Sequence, residues 1–195
     1  MISIDTGMFV KSLEPDFCGD AAVIKKYENR TRCFLFDALG HGEEAWKSAE
    51  LCVSLVNDSN MIDFVALAKL IHNGIKAKRV RGVVAGFCEI DHSAQKMEYL
   101  AMGDISIRIF GPNRTNLVSF PGIIGEVYRT PFVRKTDVFP GDIIVLNSDG
   151  LRNSVAENEI QKFLSGSAEQ TARQIVTNFR RETDDASCIV LKVNK

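Results

Sequence analysis

Nowhere in the 195 residues is there an apolar run approaching the ~20 that a membrane-spanning helix needs, so no span is expected. The opening Met1-Ile2-Ser3-Ile4-Asp5-Thr6 has neither a basic segment nor a long apolar stretch, which argues against a signal peptide. No charge of one sign dominates: 24 Lys and Arg stand against 25 Asp and Glu, a formal net charge of -1. Binding to nucleic acid through phosphate neutralisation shows as a basic excess, so no nucleic-acid partner is expected. The basic clusters Lys76-Ala77-Lys78-Arg79-Val80-Arg81 and Arg180-Arg181 each follow a helix-like segment, where cations complement the helix dipole. A docking patch for an acidic partner is the other reading of them.

Paired cysteines are missing too. Cys18, Cys33, Cys52, Cys88 and Cys188 are odd in number, scattered and without a C-x-x-C pair, and they read as reduced core residues of a cytoplasmic protein. His41, His72 and His92 are far apart, with no H-x-x-x-H spacing for zinc. There is no G-x-G-x-x-G or Walker loop to cradle a nucleotide, and no G-x-S-x-G or C-x5-R nucleophile motif. Repeats, low-complexity tracts and linkers are absent as well.

What is present is an ordinary globular composition, 45% hydrophobic and 25% charged. A domain of this size buries roughly 70% of its unfolded surface, so a metal found here would serve chemistry more than folding. Strands are predicted at 2–12, 20–27 and 31–36. Two helices follow, on the stripes Ala45, Ala49, Cys52, Val53, Val56 and Phe64, Leu67, Ala68, Ile71, Ile75, the second weakened at its end by Asn73-Gly74. Val83–Cys88 reads as a buried strand. Alternation at Met97, Tyr99, Ala101 and at Ile105, Ile107, Ile109 around Gly103-Asp104 reads as a hairpin. Further strands are expected near 115–120, 132–138 and 143–147. Two helices opened by the capping boxes Ser154-x-x-Glu157 and Ser167-x-x-Gln170 precede a last strand from Ala186 to Val193. Runs of strands with pairs of helices between them indicate an α+β fold of antiparallel sheets covered by helices.

The acidic residues stand out because several sit where a strand gives way to a turn. Asp37 follows Cys33-Phe34-Leu35-Phe36, Asp149 follows Ile143-Ile144-Val145-Leu146, Asp184 and Asp185 precede the last strand, and Asp20 opens an early one. Carboxylates converging at the ends of buried strands repel one another unless a cation lies between them. Oxygen ligands without His or Cys suit Mg²⁺ or Mn²⁺, and two such ions can neutralise a phosphoryl group. Each aspartate alone is more often a turn former, since Asp-Gly pairs are common turns.

In order along the chain, Gly19-Asp20, Asp37-Ala38-Leu39-Gly40-His41-Gly42, Gly103-Asp104, Asn147-Ser148-Asp149-Gly150-Leu151 and Asp184-Asp185-Ala186-Ser187 resemble the metal-dependent type-2C (PPM) serine/threonine protein phosphatases, specifically their bacterial SpoIIE/RsbX-like branch. The resemblance covers essentially the whole chain. It implies a single PPM-type domain over 1–195, an α-β-β-α sandwich of two antiparallel sheets flanked by helices, with no sensor region at this length. It implies two Mn²⁺ or Mg²⁺ ions: Asp37 bridging both, the Ala38 carbonyl and, through water, Asp20 on the second, Asp149 and Asp184 on the first. The reaction implied is hydrolysis of phosphoserine or phosphothreonine by metal-activated water, with Asp37 and Asp149 central. The partners implied are phosphorylated STAS-domain stressosome proteins (RsbS/RsbR-like), dephosphorylated in the cytoplasm as negative feedback on stress signalling.

The pattern departs from the family where Ala38 replaces the usual Gly. Ala disfavours positive φ, and its methyl takes space, so weaker binding of the second ion is expected. No Arg precedes Asp20 to grip phosphate, and Leu39 stands where the eukaryotic branch has His. His41 is either a general acid or a shaper of the turn; Asp104 is either a ligand of a third, weaker metal or a hairpin turn. A non-catalytic module of the same fold that binds a phosphoprotein, and a hydrolase of small phosphoesters, remain the alternatives. Nothing marks a coiled coil, so no oligomeric state is assigned.

Overall fold

Alternate residues of the long strands feed two different cores. In β3 (Arg30–Ala38), Cys33 and Leu35 enter one apolar cluster while Phe34, Phe36 and Ala38 enter another. In β10 (Ala186–Asn194), Ile189, Leu191 and Val193 join the first cluster and Cys188 and Val190 a third. A strand buried on both faces reads as a continuous apolar run, which is how Cys33–Phe36 and Cys188–Leu191 look in the sequence.

In the computed structural model, which describes residues 1–59, 63–152 and 160–195, the strands form two five-stranded antiparallel sheets. One has the order β1 (Ser3–Lys11), β10, β9 (Ile143–Asn147), β6 (Ser106–Phe110) and β7 (Thr115–Leu117). The other runs β2 (Asp20–Lys26), β3, β4 (Val83–Asp91), β5 (Lys96–Met102) and β8 (Arg134–Asp137). The shared cluster between them is the inter-sheet core. Helices α1 (Glu43–Asp58) and α2 (Phe64–Lys78) cover the second sheet, where Phe34, Phe36, Phe64 and Phe87 meet edge to face. Helix α3 (Ala168–Phe179) covers the first through Ala172, Ile175 and Val176. Beyond the helices the outer face of the second sheet carries cross-strand ion pairs, Arg32–Glu89, Lys96–Asp137 and Lys135–Glu98, in place of apolar groups. Helix α1 lacks a basic last turn, and Lys25 of β2 supplies the cation, donating to the Val56 carbonyl at 2.6 Å. No helix among the described residues is long and apolar enough to cross a membrane.

One expectation changes. Gly103-Asp104 is not a hairpin turn: β5 and β6 lie in different sheets, and the pair carries the chain from one to the other. Period-2 alternation on either side of a Gly-Asp pair looks the same whether the flanking strands pair or part. Asn73-Gly74 lies inside the last turns of α2, which runs on to Lys78; Gly74 lies where a Cβ would press on Leu55 of α1, so it serves helix packing. The Ser154–Glu157 capping box lies outside the described residues. The Ser167 box forms in full, with Ser167 Oγ accepting from the Gln170 N–H and the Gln170 side chain accepting from the Ser167 N–H. Ser167→Ala is expected to cost about 1 kcal/mol, lowering Tm by roughly 2–4 °C in a thermal melt. An unchanged Tm would mean that Asp5, which accepts from the Ala168 N–H, starts the helix alone.

Candidate functional site

Antiparallel pairing puts the acidic residues at one end of the molecule. The β9–β10 register sets Asn147 opposite Cys188, so Asp149, just past β9, and Asp184, just before β10, leave the first sheet at the same end. In the second sheet Asp37 is the penultimate residue of β3 and lies opposite Asp20, the first residue of β2. Stacking the sheets brings these ends together around a cleft of about 220 Å³ lined by Asp37, Ala38, Leu39, Gly40, His41, Val84, Asp104, Asp149, Thr183 and Asp184. A larger depression of about 480 Å³ by Thr6, Met8 and Ile24 has only Lys26 and Glu169 as charged groups and no acidic cluster.

Of the five residues expected to hold metal, Asp37, Ala38, Asp149 and Asp184 line this cleft. Asp20 does not; it is buried, with Ser148 Oγ donating to its Oδ2 at 2.6 Å. Asp104 lines the cleft, as a consequence of the crossover that replaces the expected hairpin. Ala38 raises none of the expected backbone difficulty. Among the described non-glycine residues only Arg79 and Gln95 have positive φ, and the Ala38 methyl packs in the core under α1 and α2.

The electrostatics follow from crowding acids at buried strand ends. Burial, and then the charges of Asp20, Asp149 and Asp184, push the Asp37 carboxyl up to about 9. Burial pushes Asp20 up to about 7, against the pull of the hydrogen bond from Ser148. Asp184 is raised by burial and by Asp149. Each of these acids holds its proton more tightly folded than unfolded, so stability falls wherever the unfolded chain has ionised and the folded one resists. With metal chelated, Tm is expected to fall as pH rises from about 4, through Asp20 near 7, to Asp37 near 9. Melts across that range test it: a flat profile would mean the carboxylates are already relieved of one another.

The partners of three residues near the cleft escaped the sequence reading. Arg81 Nη1 donates to the Leu39 carbonyl at 3.1 Å and bridges the cleft-lining loop, a role hidden by its place in an apparent helix-capping cluster. His41 Nδ1 meets Glu14 Oε1 at 3.0 Å. Asp185, beside the cleft acid Asp184, accepts from the backbone N–H groups of Leu13 and Gly19, each at 2.7 Å. No local signal marks such long-range partners.

The donor set is carboxylate and carbonyl oxygen alone, the chemistry of Mg²⁺ or Mn²⁺. Among the described residues no three His, Cys, Asp or Glu side chains are arranged to hold an ion as they stand. The acids do converge: the charges of Asp20, Asp149 and Asp184 all bear on the buried Asp37 carboxyl, a repulsion that a cation among them would relieve. The chemistry of the set therefore fits a hard divalent cation.

No protein-family model and no curated protein matches the sequence. Solved structures do match over nearly the whole chain. One, described as "The bacterial stressosome: a modular system that has been adapted to control secondary messenger signaling", is 25% identical with a TM-score of 0.88, covering 97% of this chain and 100% of its own. RsbX in complex with magnesium is 20% identical with a TM-score of 0.83, covering 100% of both chains. The catalytic domain of the serine threonine protein phosphatase PstP, with two manganese ions, is 13% identical at a TM-score of 0.72, again over 100% of both. What these chains share with this one from end to end is architecture, and it is the PPM-type phosphatase fold.

Proposed function

We propose that the chain is a metal-dependent phosphatase of phosphoserine and phosphothreonine in proteins, acting on phosphorylated STAS-domain stressosome proteins as negative feedback in a stress-signalling pathway. The observation that carries this reading is the gathering of Asp37, Asp149 and Asp184 in one open cleft, each held by a strand end of a different run of sequence. Retaining mutually repelling acids there costs stability, and a cation site is the physical reason to keep them. The likeness to RsbX with magnesium, to PstP with two manganese ions and to a stressosome structure supports the metal and the setting.

In this reading residues 1–195 are one phosphatase domain. Asp37 would serve both of two Mn²⁺ or Mg²⁺ ions, the Ala38 carbonyl and, through water, Asp20 would help hold one, and Asp149 and Asp184 would help hold the other. When bound, the ions supply an activated water and neutralise phosphoryl charge. The protein's own groups do the rest. Arg81 fixes the Leu39–His41 loop, and Glu14 holds the His41 ring by Nδ1, leaving Nε2 to exchange a proton with the leaving oxygen. Val84 and Leu39 give the cleft its apolar wall. A cytoplasmic setting goes with the five free thiols.

The test is phosphate release from phosphorylated STAS-domain proteins with Mn²⁺, with Mg²⁺ and with EDTA. Release that needs the metal is the expected result. Turnover of a generic phosphoester without the STAS proteins would leave a phosphatase with a different partner. A folded protein that binds no metal and cleaves neither would be a binding module of the same fold.

A further inference from the structure

Two residues next to the cleft acids reach away from the cleft and into the other sheet. Ser148, fully buried and one residue before Asp149, donates its hydroxyl to Asp20 Oδ2 at 2.6 Å and accepts the Ser187 N–H at 3.0 Å. Its single proton and one lone pair are thus both committed. Asp185, one residue after Asp184, spends one carboxylate oxygen on the Leu13 N–H and the other on the Gly19 N–H. Ser148 and Asp185 belong to the β9–β10 end of the first sheet. Leu13 and Gly19 lie in the β1–β2 connection, and Asp20 opens β2 in the second sheet. Neither Ser148 nor Asp185 lines the cleft, so neither is placed to touch substrate.

We infer that Ser148, with Asp185 as its companion, is a positioning residue that clamps Asp20 across the two sheets and so sets the affinity of the second metal ion. The inference rests on the two-ion reading above. With Oδ2 taken by Ser148, Asp20 is held in one orientation and Oδ1 is the oxygen left to hold the ion's water. Losing the hydroxyl releases that orientation while Asp37, Asp149 and Asp184 keep theirs. Outer partners of a ligand are worth about 10–100-fold in metal affinity.

The experiment is calorimetric titration of Mn²⁺ into wild type, Ser148→Ala and Ser148→Thr, with melts of each in EDTA. Wild type is expected to take two ions. Ser148→Ala should keep the first within about twofold and bind the second about 10-fold or more weakly, and its activity should recover at excess Mn²⁺. Ser148→Thr restores the hydroxyl and should restore the second affinity. If the Thr methyl unfolds the buried site, Asp185→Asn, which keeps one of two acceptor oxygens, should weaken the second ion in the same direction. Wild-type affinity for both ions in Ser148→Ala and in Asp185→Asn, with only Tm lowered, would overturn the inference and leave a purely structural clamp. A wild type that takes no ion would overturn the two-ion reading itself, and this inference with it.

Discussion

Asp37→Asn is expected to abolish metal-dependent phosphate release and, in the same protein, to raise the Tm of the metal-free form. The two effects have one cause. Asp37 sits where the charges of Asp20, Asp149 and Asp184 converge, and burial adds to their repulsion, so its ionised form is the most strained group of the site. Asn keeps the shape and removes the charge. Without metal that relieves the fold: at pH 8 each 1 kcal/mol regained is worth roughly 2–4 °C in Tm. With metal it removes the carboxylate proposed to bridge the ions, and a loss of about 4 kcal/mol of transition-state stabilisation is about 10³-fold in rate. Opposite movements of stability and activity mark a residue kept for function at the expense of the fold. If Tm and activity fell together, Asp37 would be a structural residue, and the cation site would have to lie elsewhere in the cleft.

The acids of the site were legible because each follows or precedes a run of apolar residues that can only be a buried strand. Asp37 after Cys33–Phe36 is the penultimate residue of β3, and Asp149 after Ile143–Leu146 lies just past β9, as the sequence suggests. Helices α1 and α2 were legible for the same reason, since a single apolar stripe at helical spacing has one way to be buried. What resisted reading was everything that depends on which strand pairs with which. The alternation around Gly103-Asp104 is equally compatible with a hairpin and a crossover, and only the sheet order separates them. Asp104 therefore lines the cleft from a turn between the two sheets, not from a hairpin. Arg81 was assigned to a helix end because its neighbours Lys76 and Lys78 do occupy the last turn of α2, yet its own guanidinium crosses to the Leu39–His41 loop. The expected strain at Ala38 depended on a positive φ that the end of an extended strand does not require.

Gly150 separates turn chemistry from close approach, and Gly150→Ala is the substitution expected to damage the fold and the site together. In the sequence, Asp149-Gly150 looks like a turn whose glycine supplies positive φ. In the structure Gly150 is not among the positive-φ glycines. Its reason is space: a Cβ would fall inside the Asp185 carbonyl and against the Ala186 backbone, and backbone cannot swing aside as the tip of a side chain can. The segment is stitched on both sides, with the Arg181 N–H donating to the Gly150 carbonyl at 2.7 Å and the Arg152 N–H to that of Phe179 at 3.0 Å. A methyl must therefore push the two strand ends apart, and Asp149 and Asp184 ride on them. Overpacking of this kind costs about 2–3 kcal/mol, or roughly 5–10 °C in Tm, and metal binding should weaken with it. Gly141→Ala is the control. Gly141 does have positive φ, but a Cβ there meets nothing closer than Pro112 at 3.6 Å, and it lies in the turn before β9, at the end remote from Asp149. Its cost of about 1–2 kcal/mol is backbone strain alone, so below its Tm it should bind metal and release phosphate as wild type does. Equal losses of metal affinity in both variants would mean that the site responds to global stability. Loss confined to Gly150→Ala ties the cleft to the approach of two backbones at the ends of β9 and β10.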